Sequence, residues 1–276
     1  MISQNPLIFI LDLDGTIIGD CIYQTIIQHL ENVAKKNRIK TTLNKQLQES
    51  YQPQSKLIRP FFENFIISIK NHFPNSQFYI YTASEKEWAT KEITLIEKTH
   101  NFKLNRPIFS RNDCILDSSG QYKKSVNKIL PLIKKNNKNN VINQNNILII
   151  DNNDVFIDYN SNFILCPSYN SIHFCDIWSE IKVDSLNNSN FKETIDKYIY
   201  TNKICQHDST KIHCDYMNES RHKWYYKKLK KINSINKKYK NDRFWKKLTN
   251  IIIEKRISIF DKQHMEFIKK YLGNTK

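Results

Sequence analysis

The chain has 276 residues, 39% of them hydrophobic and 12% aromatic, with only four glycines and seven prolines, a composition that argues against a disordered, linker-rich or repetitive protein. Its formal charge is +16, unevenly placed: residues 182–276 carry 23 Lys and Arg against 10 Asp and Glu, whereas residues 1–181 are near balance. The opening apolar stretch is cut by Asp12 and is too short for a secretory core or a membrane span, and the six cysteines follow no framework spacing, so a soluble intracellular protein with buried thiols is expected, nucleus and cytoplasm both remaining open.

Residues 7–11 form a continuous apolar run, the signature of a buried strand, and Asp12, Asp14, Gly15 and Thr16 stand where it must stop. Residues 20–36 place Ile22, Ile26, Ile27 and Leu30 at helical spacing, and residues 37–56 are polar without a clear period. Pro60 opens a helix striped by Phe62, Phe65, Ile66, Ile69 and Phe73, since a first-turn proline loses no hydrogen bond. Residues 78–81 predict a second strand, with a helix restarting after Ser84, and 107–109 a short strand. A helix is predicted over 121–135, opened by Lys123 and Lys124, and a polar loop over 136–146. The apolar run 147–150 is a third strand ending at Asp151 and Asn152, and 163–166 a further one. Strands alternating with helices predict a parallel sheet covered on both faces, with ligands at the carboxyl ends of the strands.

Residues 191–276 read as helices. Leu229, Ile232, Ile235 and Tyr239, then Phe244, Leu248, Ile251 and Ile252, recur at helical spacing with lysine on the other faces. Trp224, Tyr225, Tyr226 and Trp245 interleaved with lysine suit stacking and pairing with nucleic acid, and an anionic partner, nucleic acid or acidic protein, is expected over 220–256; the same pattern also describes a core on one side and solvated charge on the other. Cys205, His207, His213 and Cys214 are four zinc-capable side chains, but their spacing is that of no standard finger. The expected division is a domain over 1–181 and a basic, mainly helical extension over 182–276.

Two carboxylates one residue apart repel each other unless a cation lies between them or one keeps its proton. The strand-end groups form four pieces in order: LDLDGT at 11–16, YTAS at 81–84, the lysine of GQYKK at 120–124, and IIDNND at 149–154. Together they resemble the haloacid-dehalogenase (HAD) phosphatase superfamily. KLIRPFFENF at 56–65, SRNDC at 110–114 and the Asp151–Asn152 pair resemble, more narrowly, its NLI-interacting-factor-like (FCP/SCP-type) branch of protein phosphatases that act on the C-terminal domain of RNA polymerase II. The resemblance covers about residues 7–180 and implies an α/β HAD-like Rossmannoid sheet with helices on both faces, a small cap built from 20–50 or none, and the helical basic extension.

The resemblance implies Mg²⁺ held by Asp12, Asp14, Asp151 and Asn152, a hard cation on oxygen donors. Asp12 is then the nucleophile forming an aspartyl-phosphate, and Asp14 gives its carbonyl to the metal and its side chain as general acid, then base. Thr82 and Lys124 bind the transferring oxygens, with Thr16, Ser84 and Arg111 at the substrate. Lys123 and Lys124 both stand in reach; the branch pattern, with its lysine two residues after Tyr122, selects Lys124. Arg111 reads equally as a substrate contact and as a surface charge, and Arg59 as orienting the chain into its helix. The implied activity is a Ser/Thr phosphoprotein phosphatase, with an enzyme acting on nucleotides or nucleic-acid end phosphates as the alternative and a scaffold without turnover as a third reading. Two departures stand out: the branch usually carries Glu where this chain has Gly15, and the helical, lysine-bearing stretch 20–50 differs from the short β insertion expected of that branch.

Overall fold

A computed structural model describes residues 6–137, 141–175, 193 and 220–273. They contain β1 (Ile8–Leu11), α1 (Ile22–Lys36), α2 (Leu43–Ser50), α3 (Phe62–His72), β2 (Gln77–Ile80), α4 (Lys86–Thr99), β3 (Ile115–Leu116), β4 (Tyr122–Lys123), α5 (Val126–Lys135), β5 (Ile147–Asp151), β6 (Phe163–Leu165), α6 (Ser220–Lys237), α7 (Phe244–Glu254) and α8 (Lys262–Gly273). The candidate zinc residues at 205–214 and the expected boundary at 181 lie outside the described residues, as do the side chains of Trp224, Tyr225 and Tyr226.

The chain falls into two compact units, one drawn from Met1–Gly19, Ile58–Asn170 and Asn241–Lys276, the other from Asp20–Leu57 and Ser171–Lys240. In the first, the four strands run parallel in the order β2-β1-β5-β6. β1 is flanked on both sides, which explains its uninterrupted apolar run: all four of its residues are fully buried. Alternate residues serve opposite faces. Ile8 and Ile10 join Ile147, Ile149 and the Val126, Ile129 and Ile133 stripe of α5. On the other face Phe9 stacks on Phe78 at 4.8 Å and meets Phe65 and Phe260 edge-on. Each such fully buried side chain contributes about 1.5–3 kcal/mol.

The C-terminal helices α7 and α8 belong to this unit. Trp245 packs its ring on Phe65 at 4.8 Å and on Phe62 at 5.1 Å, both on α3. The stripe predicted from sequence, Phe244, Leu248, Ile251 and Ile252, is buried as core. Trp245 is fully buried with it and presents no ring for stacking, so of the two readings of that stretch the core reading describes this helix.

Two expected elements differ. The strand at 107–109 is reduced to a single bridge between Phe109 and Tyr81. The helix predicted over 121–135 starts only at Val126, because β3 and β4 form a hairpin first. Gly120, at φ +79°, turns that hairpin, and Ser125 caps α5 by accepting from the Lys128 amide. Lys123 therefore lies on β4 and Lys124 in the step between hairpin and helix.

In the second unit α1 packs on α2, with Gln24 donating to Ser50 Oγ at 3.1 Å and to the His173 carbonyl. Asn236 of α6 brackets Ile172, accepting from its amide and donating to its carbonyl, each at 2.8 Å. The described cysteines, Cys21, Cys114, Cys166 and Cys175, are free and buried, as expected of thiols outside a disulfide framework.

Candidate active site

All the strand-end residues singled out in the sequence lie in the first unit. Beyond Leu11 the chain is held to the sheet once more, the Asp12 amide donating to the Ile150 carbonyl at 3.0 Å, and then turns sharply: the amides of Ile17 and Ile18 return to the Leu13 carbonyl. Gly15 makes the turn at φ +78°, and a Cβ there would stand 2.7 Å from the Asn152 side-chain amide. That contact is a physical reason for glycine at this position. Thr16 is fully buried; its hydroxyl donates to Asp12 Oδ2 at 3.1 Å and accepts from the Asn152 backbone amide at 3.1 Å. It thus ties the ends of β1 and β5 together beneath the carboxylate.

Lys124 is the centre of the site. Its ammonium donates to Asp12 Oδ1 at 2.6 Å and to Asp151 Oδ2 at 2.7 Å, between the rings of Tyr81 and Phe156 at 5.8 and 5.7 Å. Its backbone is clamped to the following loop, the amide bonding the Val155 carbonyl and the carbonyl accepting from Ile157. Of the two candidate lysines it is Lys124 that stands between the carboxylates. Burial alone would depress its ammonium, but the charges of Asp12 and Asp151 outweigh that and hold its pKa above the ordinary lysine value. Burial, with the charge of Asp12 added, raises the Asp151 carboxyl to about 6.

Asp14 faces a different set. Ser84 Oγ donates to its Oδ2 at 2.6 Å and Thr82 Oγ1 at 3.3 Å, and the Ser84 amide in turn donates to Thr82 Oγ1. Burial and then the charge of Asp12 push the Asp14 carboxyl up, against the pull of the Ser84 hydrogen bond. The two aspartates of the 11–16 motif therefore occupy unlike environments, one on a cation and one on hydroxyls, the condition under which two carboxylates take different roles. Arg111 is engaged in local structure, Nε on the Ala83 carbonyl at 2.9 Å, Nη1 on Glu85 at 3.2 Å, and its guanidinium over Tyr122. The residue it supports, Ala83, lies between Thr82 and Ser84.

Whether the site suits a hard cation is answered by its oxygens. Among the described residues no group of three His, Cys, Asp or Glu side chains is placed to hold a metal. Instead the amide end of Asn152 lies 3.1 Å from the Asp14 carbonyl oxygen and 3.2 Å from Asp12 Oδ2. In that orientation the amide nitrogen donates to both oxygens; a carboxylate and a carbonyl oxygen thus converge, and with the Asn152 amide turned over its oxygen would join them as a donor set that fits a divalent cation of the magnesium type. Asp151 has both oxygens engaged, on Lys124 and on the Asn153 amide.

A family model, NLI interacting factor-like phosphatase, matches residues 7–177. The chain belongs to the NLI interacting factor-like phosphatase family. Comparison with curated proteins gives no match. Among solved structures, the essential RNA polymerase II CTD phosphatase Fcp1 is similar at 21% identity and TM-score 0.37, over 72% of this chain and 50% of that one. A variant of the fission yeast RNA polymerase II CTD phosphatase Fcp1 bound to beryllium fluoride is similar at 18% identity and TM-score 0.37, over 99% of this chain and 63% of that one. The chain thus spans between half and two thirds of the length of these structures.

The family match does not reach α7 and α8, yet the supports of the site do. Arg59 is fully buried and donates through Nε and Nη2 to both oxygens of Asp242, at 3.0 and 2.8 Å, just ahead of α7. Its guanidinium lies over the rings of Phe244 and Tyr169, while its own amide donates to the Ile17 carbonyl and the Tyr169 amide to the Gly15 carbonyl. Arg59 therefore orients chain, as its place before Pro60 suggested, and braces the motif-bearing turn from behind. Asp242 carried no signal in the sequence, since it stands 183 residues from its partner. Asp158 was equally silent: its carboxylate takes Ser125 Oγ and the amides of Val126 and Asn127, fixing the step that carries Lys124.

Proposed function

We propose that this protein is a metal-dependent phosphatase of the HAD type whose nucleophile is Asp12 and whose substrates are phosphoserine and phosphothreonine in proteins. The observation that carries the reading is the single cationic centre, Lys124, set between Asp12 and Asp151, with Asp14 held apart on Ser84 and Thr82.

In this scheme Asp12 attacks the phosphorus atom, the bond to the leaving oxygen breaks, and that oxygen takes a proton from the Asp14 carboxyl. Asp14, now a carboxylate, accepts a proton from the water that hydrolyses the aspartyl-phosphate, releasing phosphate and restoring Asp12. Lys124 and the Thr82 hydroxyl hold the equatorial oxygens of the transferring group, where charge accumulates. Ser84 sets the direction of the Asp14 carboxyl, and Thr16 that of Asp12. Asp12, the Asp14 carbonyl and Asn152 would hold Mg²⁺, with Asp151 orienting Lys124; when bound, the ion lowers the repulsion between the phosphate and the attacking carboxylate. Family membership supports the heptad tail of RNA polymerase II as the first protein substrate to try, and the anionic-partner reading of the C-terminal third keeps nucleic-acid end phosphates as the competitor.

The test is Mg²⁺-dependent phosphate release from a phosphoserine heptad peptide, an aryl phosphate and a 5′-phosphorylated oligonucleotide, wild type against Asp12→Asn. Peptide turnover that the substitution abolishes is expected. Preference for the oligonucleotide would move the substrate class, and no turnover of any of the three would overturn the reading.

A further inference from the structure

β6 is an edge strand: among the described residues it pairs with β5 alone. Beside it runs a groove of about 610 Å³ within the first unit. Phe163, Ile164 and Leu165 all line it, and because successive strand residues point to opposite faces, a groove that meets three in a row follows the edge of the sheet. The opposite wall is built from α7 and α8, so the floor lies inside the segment matched to the family and the wall outside it. This groove is a product of the C-terminal helices that the family match leaves out.

Its chemistry is specific. The floor is apolar, and Leu165 is 58% exposed on it. The rim carries Arg243, Lys247 and Lys269. Arg243 and Lys247 stand one helical turn apart, where like charges repel, and Lys269 is fixed by donating to the Ser161 carbonyl at 3.1 Å. Among the described residues one carboxylate lines the wall, Asp242, and it is already held through both oxygens by Arg59. An apolar floor under a rim of net positive charge is complementary to a chain that alternates acidic and apolar side chains.

We propose that this groove binds an acidic, extended polypeptide segment of a partner protein, with an apolar side chain against Leu165 and carboxylates against Arg243, Lys247 and Lys269. The volume suits a short peptide run. Strand addition contributes little, since β6 has three residues and Pro167, which has no amide hydrogen, follows closely. Nucleic acid fits less well: the rings beside the groove, Phe163 and Phe244, are at most 9% exposed and offer no stacking platform. The proposal is independent of the phosphatase reading.

Fluorescence anisotropy with the full chain tests it, using a labelled peptide of alternating Glu and Leu, the same peptide with Gln for Glu, and a single-stranded oligonucleotide as competitor. Saturable binding of the Glu peptide is expected, weakened about tenfold by the Arg243→Glu, Lys247→Glu double substitution and severalfold by Leu165→Ser, and weakened again by added salt. Melting curves identify a variant that has lost its fold; one variant alters the floor and the other the rim, so either one alone can carry the test. The proposal is overturned if the Glu peptide does not bind, if the Gln peptide binds as well, or if folded variants bind it unchanged. Displacement of the peptide by an oligonucleotide whose own binding ignores Leu165→Ser would overturn it in favour of nucleic acid.

Discussion

Among the described residues of the sheet unit, Lys124 and Arg59 are buried cations bonded in opposite ways. Lys124 is a point charge shared between two carboxylates that belong to different strands, with contacts of 2.6 and 2.7 Å. Arg59 is a planar fork matched to one carboxylate, that of Asp242, between two aromatic rings. An ammonium can exchange one oxygen for another with little change of geometry, whereas a bidentate, stacked guanidinium cannot. The difference separates a charge arranged to meet a changing ligand from one arranged to keep the chain in place. Removing a partner should therefore damage chemistry at the first and stability at the second.

The sharpest way to break that contrast is Lys124→Met. Phosphate release is expected to fall about a thousandfold or more, since the proposed scheme makes Lys124 the fixed donor for the transferring oxygens; steady-state kinetics on an aryl phosphate reads it. Asp242→Asn should do the converse, lowering stability by about 3–5 kcal/mol because it strips the counter-charge from a buried guanidinium. Urea denaturation measures the loss, and the folded fraction should keep turnover within a few-fold of wild type. If Asp242→Asn silenced a fully folded enzyme, the contrast would collapse.

Gly15→Ala falls between the two, because the turn it strains belongs to both. A left-handed backbone and a contact with Asn152 at 2.7 Å predict a loss of about 1–3 kcal/mol together with reduced turnover. The smallest effect concerns an ion cluster built on Glu97 of α4. Burial alone would raise the Glu97 carboxyl, but Arg106, the Leu104 amide and Lys103 outweigh it and hold its pKa below the ordinary value. Its contribution is therefore fully present above the unfolded-state pKa and is lost as pH falls through the lower folded-state value. The stability difference between wild type and Glu97→Gln should be under about 1 kcal/mol at neutral pH, given the exposure of both cations, and should vanish under acid conditions.

The sequence was most readable where covalent neighbours do the work. Asp12 and Asp14 follow a buried strand directly, Thr82 and Ser84 lie within one short motif, and Asp151 ends the apolar run of β5, so the parallel sheet and its strand-end carboxylates were visible from pattern alone. The hairpin before Lys124 was not, because strands of two residues leave no period to detect and the lysines of 123–124 continue smoothly into a helical stretch. The stripe of α7 was legible as an apolar face, but not what it faces: only the fold shows Trp245 seated on Phe62 and Phe65. Asp242 was beyond reach for the same reason, since a lone aspartate among lysines does not announce a partner so distant in sequence.

The discontinuous make-up of the sheet unit also has a meaning for how the protein is born. Its last segment starts at Asn241, so during synthesis the α3 face of the sheet waits, without Trp245 and Phe260, until that distant segment has left the ribosome. Contacts of such long sequence separation close late. A nascent chain paused before that point exposes Phe9, Phe62 and Phe65, the aromatic surface on which a chaperone would act.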